Sequence, residues 1–454
     1  LLMEHYRTIT LVDLRYIHPN LLGQFLTFQG QRQGLHSLTE LNDRHRFFKE
    51  LDSRITKKEN FQVFLINIKN FGIINQKYGH LFGDEFLYHF AFALEKLIKK
   101  SAAFHMNGTV FSLILPYVDQ TTAEKQAGVL LDFLERGITC LNKHVTMEYV
   151  VVEYTATESV TSASEFYEKL EYAASRAYQQ KNRYIRYTPQ MGAEMNRTRY
   201  LMERIRTVDR AHGFEVWYQP VQCMHKGDFC SMEALVRLRE PDGSLISPAE
   251  FIPLAEQMGW IAPITWFVLE EVCDMLRRNP ILNGISVSVN LPMPQLLDKG
   301  FVPRLNSIVD QAGIPRQSIS IEFTERAILE NFQRTQGIME ELTRDGYHFL
   351  LDDFGTGYSN FNCLLQLPFQ FIKLDSCLIR PGADSSTNYS TVQTLTNLFH
   401  DMQLRVIAEG VETDEAVEAL RQFGIDRIQG FALARPMPER ELLAFIREHQ
   451  QPDT

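Results

Sequence analysis

Positive charge is in short supply along this 454-residue chain, where 46 Lys and Arg stand against 56 Asp and Glu for a net charge of −10. That balance excludes a broad electrostatic footprint for polymeric nucleic acid. A small anionic ligand remains possible only where metals or local Arg and Lys offset the acids. Cysteine is also sparse. The six residues (Cys140, Cys223, Cys230, Cys273, Cys363, Cys377) form no Cys-x-x-Cys pair and no zinc spacing, so they read as reduced core residues of a cytosolic protein. No apolar run reaches transmembrane length and no signal peptide is visible. The chain begins with Leu-Leu rather than Met, which reads as a cytoplasmic fragment whose missing N-terminus would hold a sensor or membrane anchor. What is present is ordinary: 44% hydrophobic and 22% charged residues, enough for two or three domains with cores of their own.

Residues 1–37 read as a partly helical lead-in. From Leu38 the pattern sharpens: Leu38 to Leu51 has apolar residues at helical spacing, with Thr39 as its cap. Strand patterns at Phe61–Ile68, Phe104–Pro116 and Val145–Glu153 are mixed with helical ones at Gly83–Lys99, Thr122–Arg136 and Ala163–Gln180. Asn107-Gly108 marks the turn of a hairpin. Without strict alternation, the pattern predicts an α+β domain over 38–187. An Arg-rich linker helix follows within 188–211. Over 198–448 about eight strand-like runs alternate with helices, the size and repeat of a (β/α)₈ barrel.

Most of those runs end on, or near, a polar residue: Glu233, Asn290, Glu322, Asp352 with Asp353, Lys373, Glu409 and Gln429. In such barrels the C-terminal strand ends form the active site. The stretch Phe349-Leu-Leu-Asp352-Asp353-Phe-Gly355-Thr-Gly357 concentrates the pattern, with a buried strand, two adjacent carboxylates and a loop of two glycines. On this stretch alone a solvated Asp-Asp turn is equally compatible. Five acids in one mouth would raise one another's pKa or recruit cations, and oxygen donors without histidine suit Mg²⁺ or Mn²⁺. Two such ions can stabilise both oxygens of a phosphoryl displacement, so the pattern favours metal-dependent phosphoester hydrolysis.

Glu233-Ala-Leu235 followed by Val-Arg237 resembles the motif that names the EAL domain, the cyclic di-GMP phosphodiesterase family. Tyr218-Gln-Pro-Val221, Ser288-Val-Asn290, Ile321-Glu-Phe-Thr-Glu325, Asp352-Asp-Phe-Gly-Thr-Gly-Tyr-Ser359, Ile372-Lys-Leu-Asp375, Ala408-Glu-Gly-Val-Glu412 and Gln429-Gly-Phe431 fall in family order. The resemblance implies a modified (β/α)₈ barrel that hydrolyses cyclic di-GMP to linear pGpG with two Mg²⁺ or Mn²⁺ per active site, acting as a homodimer. By position it implies that Glu233, Asn290, Glu322 and Asp352 ligate one metal. Asp352 would bridge to a second metal bound by Asp353 and Glu409. Lys373 would contact the catalytic water with Gln429 nearby, and Glu325 would anchor the loop after Asp353. Gln219, Leu235 and Arg237 would face the substrate. Pro292 and Asn360 depart from the usual serines without removing a ligand. A non-catalytic cyclic di-GMP receptor is the alternative, although a receptor has no need of every ligand.

The first domain is similar to the GGDEF domain of diguanylate cyclases, in a degenerate form. Gly83-Asp-Glu-Phe86 mimics the signature, but Asn67–Leu87 resembles the segment that precedes it. The true signature position reads Asn107-Gly-Thr-Val-Phe111, with Thr109 and Val110 in place of the acids. Asn67 and Lys69 stand at the other acidic positions, and the Arg-x-x-Asp inhibitory site is missing. The expectation is therefore a domain without cyclase activity that regulates the barrel.

Overall fold

Phe61–Lys69 is a run of nine residues of which all but two are buried. In the computed structural model, which describes residues 34–97, 102–156, 162–209, 213–324, 332–356, 361–379 and 385–449 (side chains of 361–363 and 385–389 excepted), it is the central strand of the first of two units. The strands of this unit are β1 (Asn42–Asp43), β2 (Phe61–Lys69), β3 (Ala102–Asn107), β4 (Val110–Pro116), β5 (Ile138–Cys140), β6 (Lys143–Val145), β7 (Glu148–Ala156) and β8 (Tyr184–Arg186). Six of them form one sheet in the order β1-β3-β4-β2-β7-β8, and β5 and β6 make a separate hairpin. Alternation along β2 sorts its side chains onto two faces. Phe64, Ile66 and Ile68 pack with Phe86, Phe90 and Leu94 of the helix His80–Leu97. Phe61, Val63 and Leu65 pack with Phe47, Leu51 and Phe166 of helices Arg44–Thr56 and Ala163–Gln179.

Two local expectations shift. The first helix starts at Arg44, because Asp43 rather than Thr39 caps it by accepting from the Arg46 amide. Thr39 bonds instead to the buried His105. The hairpin turns on Gly108-Thr109, with Asn107 paired to Val110, and Gly108 takes the left-handed conformation (φ 49°) that the turn requires. The helix read as a linker runs Pro189–Thr207, and the boundary between the two units falls inside it, between Arg197 and Thr198.

The second unit contains β9 (Phe214–Cys223), β10 (Phe229–Arg239), β11 (Leu245–Ile246), β12 (Ser286–Asn290), β13 (Ile319–Thr324), β14 (His348–Phe354), β15 (Phe371–Leu374), β16 (Arg405–Ala408), β17 (Arg427–Ile428) and β18 (Met437–Pro438). Neighbours run β10-β12-β13-β14-β15-β16-β17-β9, and β9 pairs back onto β10, closing an eight-strand barrel. Strands β10 and β12 to β17 are parallel, and β9 alone is antiparallel to both of its barrel neighbours. The mixed α/β barrel expected from the sequence is thus present, modified by one reversed strand. Helix-facing positions such as Ile321, Phe349, Ile372 and Val406 are buried in one continuous core. Each contributes roughly 1.5–3 kcal/mol relative to an exposed side chain. These outer contacts fix the strands, and the inward positions that alternate with them carry the chemistry.

Candidate active site

Register brings the polar strand ends together. Gln219 of β9 lies opposite Glu233 of β10, and Asn290 of β12 lies beside Glu322 of β13. Lys373 of β15 is the hub. Its buried ammonium lies 3.1 Å from Glu233 Oε2, 3.1 Å from Glu322 Oε2, 3.5 Å from Asp352 Oδ1 and 2.5 Å from Glu409 Oε1. Asn290 Nδ2 donates to Glu233 Oε1 at 2.9 Å, and Gln429 Nε2 donates to Glu233 Oε2 at 2.7 Å.

Adjacent residues on a strand point to opposite faces, so Asp352 and Asp353 need a special backbone to serve one cavity. The pairing of β14 with β15 shifts between Leu351 and Phe354, and Asp353 adopts φ 57°. This bulge turns the second carboxylate back toward the first. Asp352, Asp353 and Glu409 each offer an oxygen within 4.8 Å of the others. All three donors are hard oxygens, and the buried Glu322 Oε1 has no hydrogen-bond partner among the described residues. A divalent cation with oxygen ligands fits this donor set.

The electrostatics agree. Burial alone would strip the Lys373 proton, but Asp352, Glu233, Glu322 and Glu409 hold its affinity well above the ordinary value. Burial pushes Glu322 well up despite Lys373, and pushes Glu409 up to about 8. Burial and then Asp352 raise Asp353. For Glu233 burial acts upward too, but the ammonium and the two amide donors outweigh it and hold the carboxyl down. One ammonium is too little for five carboxylates, so the site favours additional positive charge.

The Gln219 Oε1 accepts from Gln429 at 3.0 Å and its Nε2 donates to Ala434 O at 3.1 Å, which fixes the amide in the barrel mouth beside Glu233. Leu235 lines a cavity of about 980 Å³ that reaches Asn290 and Glu322 and is walled by Pro248, Ile252, Trp266 and Met293. None of these four wall residues is nominated by the sequence, because apolar residues at helix starts (Pro248, Met293) and inside helices (Ile252, Trp266) carry no chemical signal. Arg237 follows Glu233 and Leu235 on the same strand face, half-buried, with Nη1 on Val236 O at 3.0 Å and its guanidinium 5.6 Å from the Trp217 ring. Asp375 supports a turn by accepting from the Cys377 amide at 2.8 Å. Glu325 and residues 357–360 lie outside the described residues.

In the first unit the hairpin position is neutral. Asn67 Nδ2 donates to Tyr178 Oη at 2.6 Å, Thr109 Oγ1 donates to Asn67 Oδ1 at 3.3 Å, and the Lys69 ammonium lies 4.0 Å from the Tyr178 ring.

An α+β domain followed by an eight-strand barrel with acids and one lysine at its strand ends defines a class of two-domain protein. The chain belongs to the EAL domain family, whose model matches residues 202–436, and the model "Diguanylate cyclase, GGDEF domain" matches residues 35–186. Cyclic di-GMP phosphodiesterase PdeR of Escherichia coli (strain K12) is 28% identical over 421 residues, covering 88% of this chain and 61% of PdeR. Bifunctional diguanylate cyclase/cyclic di-GMP phosphodiesterase MucR of Pseudomonas aeruginosa is 27% identical over 431 residues, covering 90% of this chain and 61% of MucR. A solved chain described as "PaMucR Phosphodiesterase, c-di-GMP complex" is 31% identical with a TM-score of 0.51, covering 54% of this chain and 99% of that one. The chain spans about half to three-fifths of the length of the curated relatives it matches. Among the described residues no helix is long and apolar enough to cross a membrane.

Proposed function

We propose that the barrel hydrolyses cyclic di-GMP to linear pGpG. The observation that carries this reading is the Lys373 ammonium surrounded by Glu233, Glu322, Asp352 and Glu409, with Asp352, Asp353 and Glu409 oxygens mutually within 4.8 Å. Glu233, Asn290, Glu322 and Asp352 would hold one Mg²⁺ or Mn²⁺, and Asp352, Asp353 and Glu409 a second. When bound, such ions polarise the phosphodiester and lower the pKa of water.

The chain's own residues do the rest. Lys373 keeps its proton and orients water by donating toward its oxygen. Gln429, fixed by Gln219, holds Glu233 in place. Leu235 and the apolar cavity wall seat part of the ligand, and Arg237 donates to a phosphate oxygen. Water adds to phosphorus, the P–O3′ bond breaks, and the departing 3′ oxygen takes a proton to give a hydroxyl and a 5′-phosphate. The first domain acts as an inactive regulator, and the barrel works as a homodimer in which Glu325 supports the loop after Asp353. MucR, described as bifunctional, is the relevant contrast, because here Asn67, Lys69, Thr109 and Val110 stand where cyclase acids are expected.

Product analysis after incubation with cyclic di-GMP and Mg²⁺ or Mn²⁺ tests the reading. The expected product is pGpG, lost on chelation. Binding without pGpG under either metal would leave a receptor in place of an enzyme.

A further inference from the structure

We propose that the opposite end of the barrel, its floor, binds a small oxyanion of the inorganic phosphate class through Arg405, Arg427 and His348. These residues begin β16, β17 and β14, and Phe371 begins β15 beside them. The register points all four inward. Phe371 lies two residues before Lys373 and pairs with both Arg405 and Leu350, which lies two residues after His348; Arg427 pairs with Ile407, itself paired with Lys373.

Two guanidiniums converge on one ring, Arg427 at 4.2 Å and Arg405 at 5.7 Å from the Phe371 centroid. Arg427 is half-buried and Arg405 reaches solvent. Buried charge is normally paired, and guanidinium is the group best shaped to pair with an oxyanion. Yet among the described residues no carboxylate forms an ion pair with Arg405, Arg427 or His348. Among the described residues the Arg427 side chain donates to the neutral Ser231 Oγ, at 2.9 Å. The adjacent acid, Asp426, attracts Arg427 without forming an ion pair with it, and its Oδ2 accepts from the His400 ring and the Val406 amide, each at 2.8 Å. Burial and then Arg405 depress the proton affinity of Arg427, and burial followed by Arg427 and Arg405 depresses that of His348. Three basic groups therefore share one mouth without an ion-paired carboxylate among the described residues, in a chain with a net charge of −10. Such a cluster has unused donors and unbalanced charge, and an oxyanion supplies both deficits.

Inorganic phosphate against chloride, at constant ionic strength on the full chain with chelator present, tests this through the His348 imidazole signal in NMR, assigned with His348→Gln. Phosphate is expected to raise the His348 proton affinity saturably, and Arg405→Gln to weaken that response about tenfold, since one charged donor is lost. Arg405 is exposed and its side chain makes no hydrogen bond or ion pair among the described residues, so its variant should keep the wild-type unfolding midpoint without phosphate. If it fails to fold, the wild-type titration decides alone. An unsaturable response, or one unchanged in a folded Arg405→Gln, overturns the site. Neither result bears on cyclic di-GMP turnover, which is measured separately at the other end of the barrel.

Discussion

The two ends of β2 and β15 make an instructive contrast. At the end of β15 a lysine is ringed by four carboxylates; at the end of β2 a lysine lies over Tyr178 beside Asn67 and Thr109. Both are strand ends in folded domains with complete cores. Core packing fixes where a strand ends and says nothing of what stands there. Acids gathered without enough counter-charge are costly and persist where they serve a ligand. The neutral network satisfies itself, and nothing in it calls for a cation.

That contrast can be broken most sharply by Glu233→Ala, which removes a carboxylate bonded to Lys373, Asn290 and Gln429. Turnover of cyclic di-GMP should fall on the order of 10²–10³-fold, the scale for losing one preorganised stabilising group. Retained turnover would detach the acid ring from the chemistry. In the same background, restoring acids with Thr109→Asp and Val110→Glu should yield no cyclic di-GMP from GTP, because Asn67 and Lys69 still occupy the facing strand. Product formation would show that the hairpin alone limits the first domain.

The two units should also respond to pH in opposite directions. Glu409, pushed up to about 8 from 4.5, binds its proton more tightly folded than unfolded. Its contribution is complete below pH 4.5 and is lost as pH rises to about 8; Glu322 acts in the same direction. Glu233 and Lys373 titrate outside that window on the low and high sides, and the depressed His348 offsets part of the Glu409 and Glu322 effect. His105 is the reverse case. Burial pulls it down to about 4 from 6.5 despite its bond to the Gly108 carbonyl, so its contribution is complete above 6.5 and lost as pH falls toward 4. Each effect is on the order of 1–3 kcal/mol. Calorimetry of chelated protein at pH 5 and pH 8 should move the barrel's transition down at the higher pH and that of the first unit up. Parallel movement of both would contradict the burial argument. The smallest expected effect is Tyr178→Phe, which removes a half-exposed hydrogen bond and should cost about 1 kcal/mol or less by urea unfolding of the first unit.

The barrel and most of its site were legible because both rest on period-two patterns and polar residues at strand ends. Glu233, Glu322, Asp352, Lys373 and Glu409 were found that way, and they converge. What escaped depends on geometry that types alone do not carry. No residue pattern announced the left-handed Asp353 that lets two neighbouring acids share a cavity. Nor does its residue type show that Gln219 is held by Gln429 and Ala434 O. Thr39 and Asp43 are both good caps, and only the buried His105 decides between them. The basic floor was invisible because its members are far apart in sequence and meet only through strand register.

Between that floor and the acid ring lies a thin plug in which Val221, Leu350, Phe371 and Ile407 form their own small cluster. A void of about 10 Å³ within it, room for one water at most, is lined also by Ser231, Ser286, Ser288 and Ser320. The barrel interior is therefore a narrow partition with positive charge on one side and mostly negative charge on the other. Mobile ions cannot enter such a layer, so salt screens a field across it far less than it screens the same charges on the surface. A change of charge at the floor should reach Lys373 through the partition at ionic strengths that silence surface electrostatics elsewhere on the molecule.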